Sequence, residues 1–277
     1  MSVSRHHAII RRLPWSAGPA DAELAAGPAL LAGLERTGAP ALRWYRITPP
    51  ALLLGSAQRP DEIDPAACAA RGVYAHRRRS GGGAVLSDDA LLLLDLALPR
   101  DHPLYRDDVT ESYRWIGEVW AAALRDLGLD ARPIPIAAAR ADTAALDSLV
   151  RRVCFGGRSP YETLVGERKV VGLAQIRRRA GALYQAGVYL RWSPERSAAL
   201  IAAAPRQRAA LARQLAARVA GLGELRPEQP PGLAETIGAF EAALARLAGF
   251  APADDGWNDV ERAAQAAELP RYAAISP

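Results

Sequence analysis

The sequence predicts an α/β (α+β) fold, a mixed sheet packed against helices with a helical C-terminal region, on three observations. Short apolar runs of strand character fill residues 42–98 and return at 170–192, segments of helical period lie before and between them, and beyond Ser193 the pattern turns to alanine-rich helices. A chain of 277 residues suits one α/β domain with a helical appendage, which divides it into an α/β domain at 1–192 and a helical region at 193–277. Alanine inflates the 50% hydrophobic content, and with 6% aromatics and three Phe the core falls to Leu, Val, Ile and Ala.

The elements follow in order. Residues 21–35 are rich in Ala and Leu and read as a first helix; 42–47 and 51–54 read as short strands parted by the Pro49-Pro50 turn. Residues 73–76, 84–86 and 91–98 continue the strand pattern around a glycine turn. The clearest helix runs over 108–127, where Val109, Tyr113, Ile116, Trp120, Leu124 and Leu127 recur at steps of three and four and Asp107 or Asp108 can cap. Two strands, 170–176 and 182–192, flank the basic turn Arg177 to Gly181, and helices at 205–222 and 233–247 complete the chain around a linker holding Pro227, Pro230 and Pro231.

A net charge of +5 and a pI near 9.5 favour an acidic substrate or partner, such as a phosphorylated small molecule, an acidic protein or a nucleic acid. The Arg177-Arg178-Arg179 cluster keeps a basic nucleic-acid-binding module open as one alternative. Against it, neither a helix-turn-helix, zinc or RNA-recognition motif nor aromatics interleaved with the basic residues are found. The two cysteines, Cys68 and Cys154, lack metal or disulfide spacing, and His6, His7, His76 and His102 form no ligand cluster, so no metal site is expected. The start of the chain has no signal-like apolar stretch and the longest apolar run holds Asp95, which leads us to expect a cytoplasmic protein without a membrane segment.

Lys169 is the single lysine among 35 Lys+Arg residues. An ammonium is a compact point charge on a flexible stem, whereas guanidinium is a planar fork, so a chain that retains one ammonium has a chemical use for it. A glycine turn at Gly166 places Lys169 at the mouth of a strand, where a ligand can reach it, and Gly172 in mid-strand marks a place where a side chain would obstruct. On this reading Lys169→Arg removes activity and leaves the fold intact. The second segment is Arg77-Arg78-Arg79-Ser80-Gly81-Gly82-Gly83-Ala84-Val85, whose glycines let backbone approach an anionic ligand and whose arginines add donors. It is neither a Walker A loop nor a dinucleotide fingerprint, since no Gly-Lys-Ser/Thr follows and Leu86 takes the last glycine position.

Together these segments resemble the lipoate-protein ligase A and octanoyl transferase family, which shares its catalytic fold with biotin-protein ligases. The first family motif, R-R-x-S/T-G-G-G/R-A-V, is met by Arg77, Arg78, Ser80 and Gly81 to Val85; the second, G-R-K-h-x-G-x-A, by Arg168, Lys169, Val170, Gly172 and Ala174, with Glu167 inserted after Gly166. Trp44-Tyr45-Arg46, Leu54-Gly55-Ser56-Ala57-Gln58 and Gln185-Ala186-Gly187 extend the match. The usual His-Asp after the first motif is replaced by Ser87-Asp88.

The resemblance implies attachment of lipoyl or octanoyl groups to a lysine of a lipoyl domain, on a glycine cleavage H protein or a 2-oxoacid dehydrogenase E2. The first expectation is an ATP-dependent lipoate-protein ligase. Lipoate or octanoate would be activated with ATP and Mg2+ as an acyl-adenylate, gripped by Arg77, Arg78, Ser80, Gly81, Gly82, Gly83, Ala84, Val85, Lys169, Gly172 and Ala174. The alternative is an octanoyl transferase fed by acyl carrier protein, in which Cys154, standing before Ser159-Pro160-Tyr161-Glu162, forms a thioester and Arg151, Arg152 or Arg158 assists the thiolate. A non-catalytic ligand-binding relative is a further alternative, kept open by Ser87.

Overall fold

A computed structural model describes residues 9–275; His6 and His7 lie outside them. Its strands are β1 (Ile9–Arg12), β2 (Ser16–Gly18), β3 (Ala41–Ile47), β4 (Ala51–Leu54), β5 (Tyr74–Arg77), β6 (Val85–Ser87), β7 (Leu91–Pro99), β8 (Ala131–Pro133), β9 (Thr163–Val165), β10 (Arg168–Arg178), β11 (Gly181–Tyr189) and β12 (Ala251–Asp254). The helices are α1 (Ala20–Thr37), α2 (Pro65–Ala69), α3 (Arg114–Asp126), α4 (Ile136–Ala145), α5 (Ser148–Arg151), α6 (Pro194–Ala199), α7 (Pro205–Arg218), α8 (Leu222–Leu225), α9 (Leu233–Ala248) and α10 (Asp259–Glu268).

Among the described residues a large mixed sheet has the order β12-β1-β3-β7-β11-β10-β9-β8, with β2 added beside β3, and β5-β4-β6 form a second small sheet. Strand β7 is the hinge of this design: Leu92, Leu94, Leu96 and Leu98 enter the main core under α3, while Leu91 and Leu93 face the other side. The main core gathers Trp44, Trp120 and Phe240, whose rings meet edge-on or tilted at 4.6–5.9 Å, so α9 of the C-terminal region is packed on the sheet's central helix.

Several boundaries differ from the sequence expectation for identifiable reasons. The helix expected at 108–127 begins only at Arg114, because Asp108 Oδ1 accepts from the N–H groups of Thr110 and Glu111 and caps a preceding turn of 3-10 helix; Val109 is left exposed rather than on the buried face. The expected 205–222 helix breaks after Arg218, since Val219 extends to bridge Lys169 and the Ala220 N–H donates to the Lys169 carbonyl at 3.0 Å. The region after Ser193 also contributes a strand, β12, parallel to β1. Its α10 lies along α1, where Glu261, buried, receives Arg11 from β1 at 2.7 Å.

Candidate functional site

The two motif segments come together. The loop from Arg78 to Ala84 runs beside the segment at 152–154: the Ala84 N–H donates to the Arg152 carbonyl at 2.7 Å and the Cys154 N–H to the Ala84 carbonyl at 2.9 Å. Two backbone positions make this possible. Gly82 has φ +93°, and a Cβ on Gly55 would lie 1.8 Å from the Gly82 carbonyl oxygen. The loop therefore folds onto the turn after β4, and Cys154 Sγ faces the Arg78 guanidinium at 3.6 Å.

Two cavities meet at Cys154. A cleft of about 500 Å³ is lined by Gly81, Gly82, Gly83, Cys154, Ser159 and Lys169 among others. A smaller apolar pocket of about 70 Å³ is walled by Leu24, Tyr45, Leu53, Val85, Leu91, Leu93 and Phe155, with Arg78, Ser80 and Gln185 as polar members. Cys154, Leu173 and Ala174 belong to both. A thiol is thus placed where a larger cleft with charged members such as Lys169, Glu162 and Arg158 passes into a hydrocarbon-lined hole.

Within that hole the Ser80 hydroxyl is buried without a hydrogen-bond partner in the described structure, so a donor is held facing a mostly apolar lining. Gly172 keeps the wall open, as the reading of its strand anticipated: a Cβ there would come within 3.3 Å of Lys169 Cε and of the Phe155 ring. Behind the pocket lies a buried ionic network. Arg43 binds Glu23 at 2.6 Å and Asp95 at 2.8 Å, and Gln185 donates to Asp95 at 2.8 Å, fixing one wall. Tyr45, whose ring lies 3.7 Å beneath the Arg43 guanidinium, has its phenol held well above the usual range by burial and the Asp95 charge.

Lys169 lines the cleft but does not project from a turn mouth. It is 1% exposed, its Nζ pairs with Glu162 Oε1 at 2.7 Å, and it donates to the carbonyls of Gly157 at 3.0 Å and Cys154 at 3.3 Å. Glu162, 2% exposed, also accepts the N–H groups of Ser159 at 2.7 Å and Leu173 at 3.1 Å. Tyr161 adopts φ +66° to turn the chain into Glu162, a strained conformation for a bulky residue and one found at functional segments. Lys169 and Glu162 thus hold the turn that carries Cys154. The expectation that Lys169→Arg would leave the fold untouched does not survive this geometry.

The remaining motif residues are placed as follows. Arg77 donates through Nη1 to the carbonyls of Gly55, Ser56 and Gln58 and so braces that turn. Arg78 donates to the carbonyls of Leu53, Gly81 and Gly83, and holds both the loop and the sulfur. Ala84 and Val85 continue into β6, Val85 on the apolar pocket; Ala174 lies at the junction of both cavities. The cation beside Cys154 is Arg78, not one of the three arginines nearest in sequence. Arg151 donates to the carbonyls of Thr143 and Leu146, Arg152 to that of Ala202, and Arg158 to that of Glu167. Sequence reading did not single out Glu162 as the partner of Lys169; the signal available was a lone lysine with a glutamate seven positions earlier in the same quoted segment. Ser87, in place of the family's usual His, is buried at the end of β6 next to Asp88, which pairs with Arg196 at 2.7 Å. Among the described residues no helix is long and apolar enough to cross a membrane, and no group of three or more His, Cys, Asp or Glu gathers into a metal site.

The fold is similar to that of a lipoate-protein ligase A crystallised with ATP, at TM-score 0.75 and 22% identity over 95% of each chain. It is likewise similar to that of a bi-partite lipoate protein ligase from Thermoplasma acidophilum, at TM-score 0.77 and 21% identity, covering 96% of this chain and 93% of that one. In sequence the chain is 38% identical over 159 residues to the octanoyltransferase LipM of Moorella thermoacetica, covering 57% of this chain and 56% of the relative. It is 39% identical over 158 residues to LipM of Kyrpidia tusciae, covering 56% of each. The chain therefore spans a little over half the length of the curated relatives it matches. Residues 20–245 match the lipoyl protein ligase A/B catalytic domain, and the chain belongs to that family.

Proposed function

We propose that this chain is an octanoyltransferase that moves an octanoyl group from a carrier-protein thioester to a lysine of a lipoyl domain through Cys154. The observation that carries this is the position of Cys154 Sγ, where a larger cleft meets a small apolar pocket, 3.6 Å from Arg78. The relatives named octanoyltransferase favour the same reading over the ligase that the glycine motif first suggested.

In the first half-reaction the Cys154 sulfur attacks the carbonyl carbon of the carrier thioester. The new S–C bond forms, the carrier's C–S bond breaks, and the carrier leaves as a thiol with the proton that Cys154 gives up. In the second, the neutral amine of the acceptor lysine attacks the Cys154 thioester, an amide forms, and the sulfur departs with the amine's proton. The hydrocarbon chain rests among Leu24, Leu53, Leu91 and Leu93, and the partnerless Ser80 hydroxyl is a donor for the carbonyl oxygen as negative charge develops. The Arg78 charge stabilises the sulfur anion. Lys169 acts through the turn it holds, its ammonium paired with Glu162 and bound to the Cys154 and Gly157 carbonyls.

Transfer from a thioester draws its energy from that bond. The second reading, an ATP-dependent lipoate-protein ligase, is favoured by the size of the cleft beside the glycine loop, about 500 Å³, which admits a ligand larger than an acyl group. In that reading Mg2+ would enter with the ATP phosphates. The acceptor in either reading is a lipoyl domain, the kind of partner that the Thermoplasma ligase was studied with. Incubation with octanoyl-carrier protein and no ATP, read by intact mass, tests the proposal. An octanoyl adduct on Cys154, released by hydroxylamine and absent from Cys154→Ala, is the expected result. Octanoate attachment to a lipoyl domain that requires ATP-Mg and persists in Cys154→Ala would overturn it.

A further inference from the structure

Residues 268–275 lie beyond the family match, which stops at 245, yet they are bound near the apolar pocket. After α10 a short 3-10 turn (Leu269–Tyr272) buries Tyr272 to 3% exposure in one hydrophobic cluster with Leu24, Tyr45 and Leu53. Those three side chains are pocket wall on their other side. Tyr272 thus belongs to the same packed cluster as three residues that line the space given to the acyl chain.

The segment is fastened at three points. His76 Nδ1 lies 2.8 Å from the Tyr272 carbonyl, which can only accept, so Nδ1 carries the proton. The Ile275 N–H donates to the Ala75 carbonyl at 2.7 Å, and Arg79 pairs with Glu268 at 2.6 Å. Ala75, His76 and Arg79 belong to β5 and to the loop that leads to Ser80, so the tail is tied to the same strand that delivers the glycine loop.

We propose that this C-terminal strap is the back wall of the acyl pocket and that Tyr272 is a specificity-determining residue, limiting the length of the acyl chain accepted. The inference rests on the acyl-transfer reading for its substrate. Physically, a wall made of Leu24, Tyr45 and Leu53 holds its position because Tyr272 fills the volume behind it; interiors are close-packed, and a void there would let the wall retreat before a longer chain. Removing the phenol ring therefore lengthens the pocket, whereas removing only the hydroxyl does not.

The test compares wild type, Tyr272→Phe, Tyr272→Leu and Tyr272→Ala in full-length protein, each checked for a cooperative thermal transition. Rates of Cys154 acylation by octanoyl-, decanoyl- and dodecanoyl-carrier thioesters are read by intact mass. Free fatty acids of the same lengths are titrated in parallel by calorimetry. Tyr272→Ala should raise the decanoyl-to-octanoyl ratio about tenfold, the value of burying two further methylenes, and should shift fatty-acid affinity the same way. Tyr272→Phe should match wild type, and Tyr272→Leu, the variant that carries the test should the alanine form not fold, should fall between. An unchanged length profile in a folded Tyr272→Ala or Tyr272→Leu protein would overturn the proposal. Failure of wild type to form any adduct would overturn the transfer reading instead, and the fatty-acid series would then decide the wall alone: longer acids binding the variants no better than wild type would remove it.

Discussion

Lys169→Met is the perturbation that tests the site's construction most directly. The unbranched thioether side chain is close to lysine in size, so the change is electrostatic more than steric. It deletes the 2.7 Å pair with Glu162 and two donations, at 3.0 and 3.3 Å, to the Gly157 and Cys154 carbonyls. Breaking a buried pair by removing one partner costs about 3–5 kcal/mol, and each orphaned carbonyl adds up to about 1–3 kcal/mol. Opposing this, Glu162 keeps the N–H bonds from Ser159 and Leu173. We therefore expect a net loss of about 3–5 kcal/mol, a large part of the 5–15 kcal/mol typical of a domain. Urea unfolding followed by tryptophan fluorescence measures it, with Glu162→Gln and the double variant closing a cycle. The double variant should cost at least about 2 kcal/mol less than the sum of the singles, because the second change no longer strands a charge. A loss below about 1 kcal/mol for Lys169→Met, with acylation abolished, would refute the bracing argument and leave Lys169 a purely chemical group.

Four further outcomes follow from the same geometry. Gly55→Ala should lower stability by about 1–3 kcal/mol and Cys154 acylation with it, since the new Cβ meets the Gly82 carbonyl at 1.8 Å; thermal melts and adduct mass measure both. Arg78→Ala should slow acylation of Cys154 by at least about tenfold, because the guanidinium at 3.6 Å holds both the sulfur's charge and the loop; single-turnover kinetics read the rate. Arg43→Met should destabilise the protein by about 3–5 kcal/mol, leaving Glu23 and Asp95 buried without their cation, as shown by the urea midpoint. Asp64 is held below the usual carboxylate range, first by the Ala67 N–H and then by Arg208. Its contribution is fully present above about pH 4 and is lost as pH falls through the lowered native value, so Asp64→Asn should flatten the decline in urea midpoint between roughly pH 5 and pH 3.

The sheet's central strands were legible because Leu42–Ile47, Leu91–Leu98 and the 168–192 hairpin carry apolar runs bounded by glycine and proline, signals local to each segment. Strands β1 and β12 were not: Ile9–Arg12 and Ala251–Asp254 are only four residues each, without a run of alternating apolar residues, and are held as strands by long-range pairing, β12 with β1 across the length of the chain and β1 with β3. The short helices α4 and α5 escaped for a related reason. Ile136–Ala145 buries only Ala139, so it has no apolar stripe to read. At the site, residue types were legible but partnerships were not. Arg77 and Arg78 read as ligand donors, yet one braces a turn through three carbonyls and the other reaches a sulfur 76 positions away. Such pairings depend on how loops cross, which no local pattern encodes.

The solitary lysine gains its physical account from this comparison. Arginine serves this protein wherever carbonyls or carboxylates can be met by a planar fork: Arg177 spreads over the carbonyls of Arg106, Asp107 and Asp108, and Arg218 takes both oxygens of Asp142. Around Lys169 the acceptors are Glu162 Oε1, the Gly157 carbonyl and the Cys154 carbonyl, contributed by three points of one turn and converging on a single nitrogen. Space is closed as well, since the lysine stem touches the position a Gly172 Cβ would take and the ammonium lies 5.1 Å from the Phe155 ring centre. A guanidinium is larger and spreads its donors over three nitrogens in a plane, so it does not reproduce a single nitrogen on which these acceptors converge. Lys169→Arg should therefore keep the charge but displace the Cys154 turn, lowering acylation and stability together, and Gly172→Ala should do so more weakly by crowding the same stem. If Lys169→Arg acylates at the wild-type rate with an unchanged urea midpoint, convergence on a point charge is not what has kept this lysine.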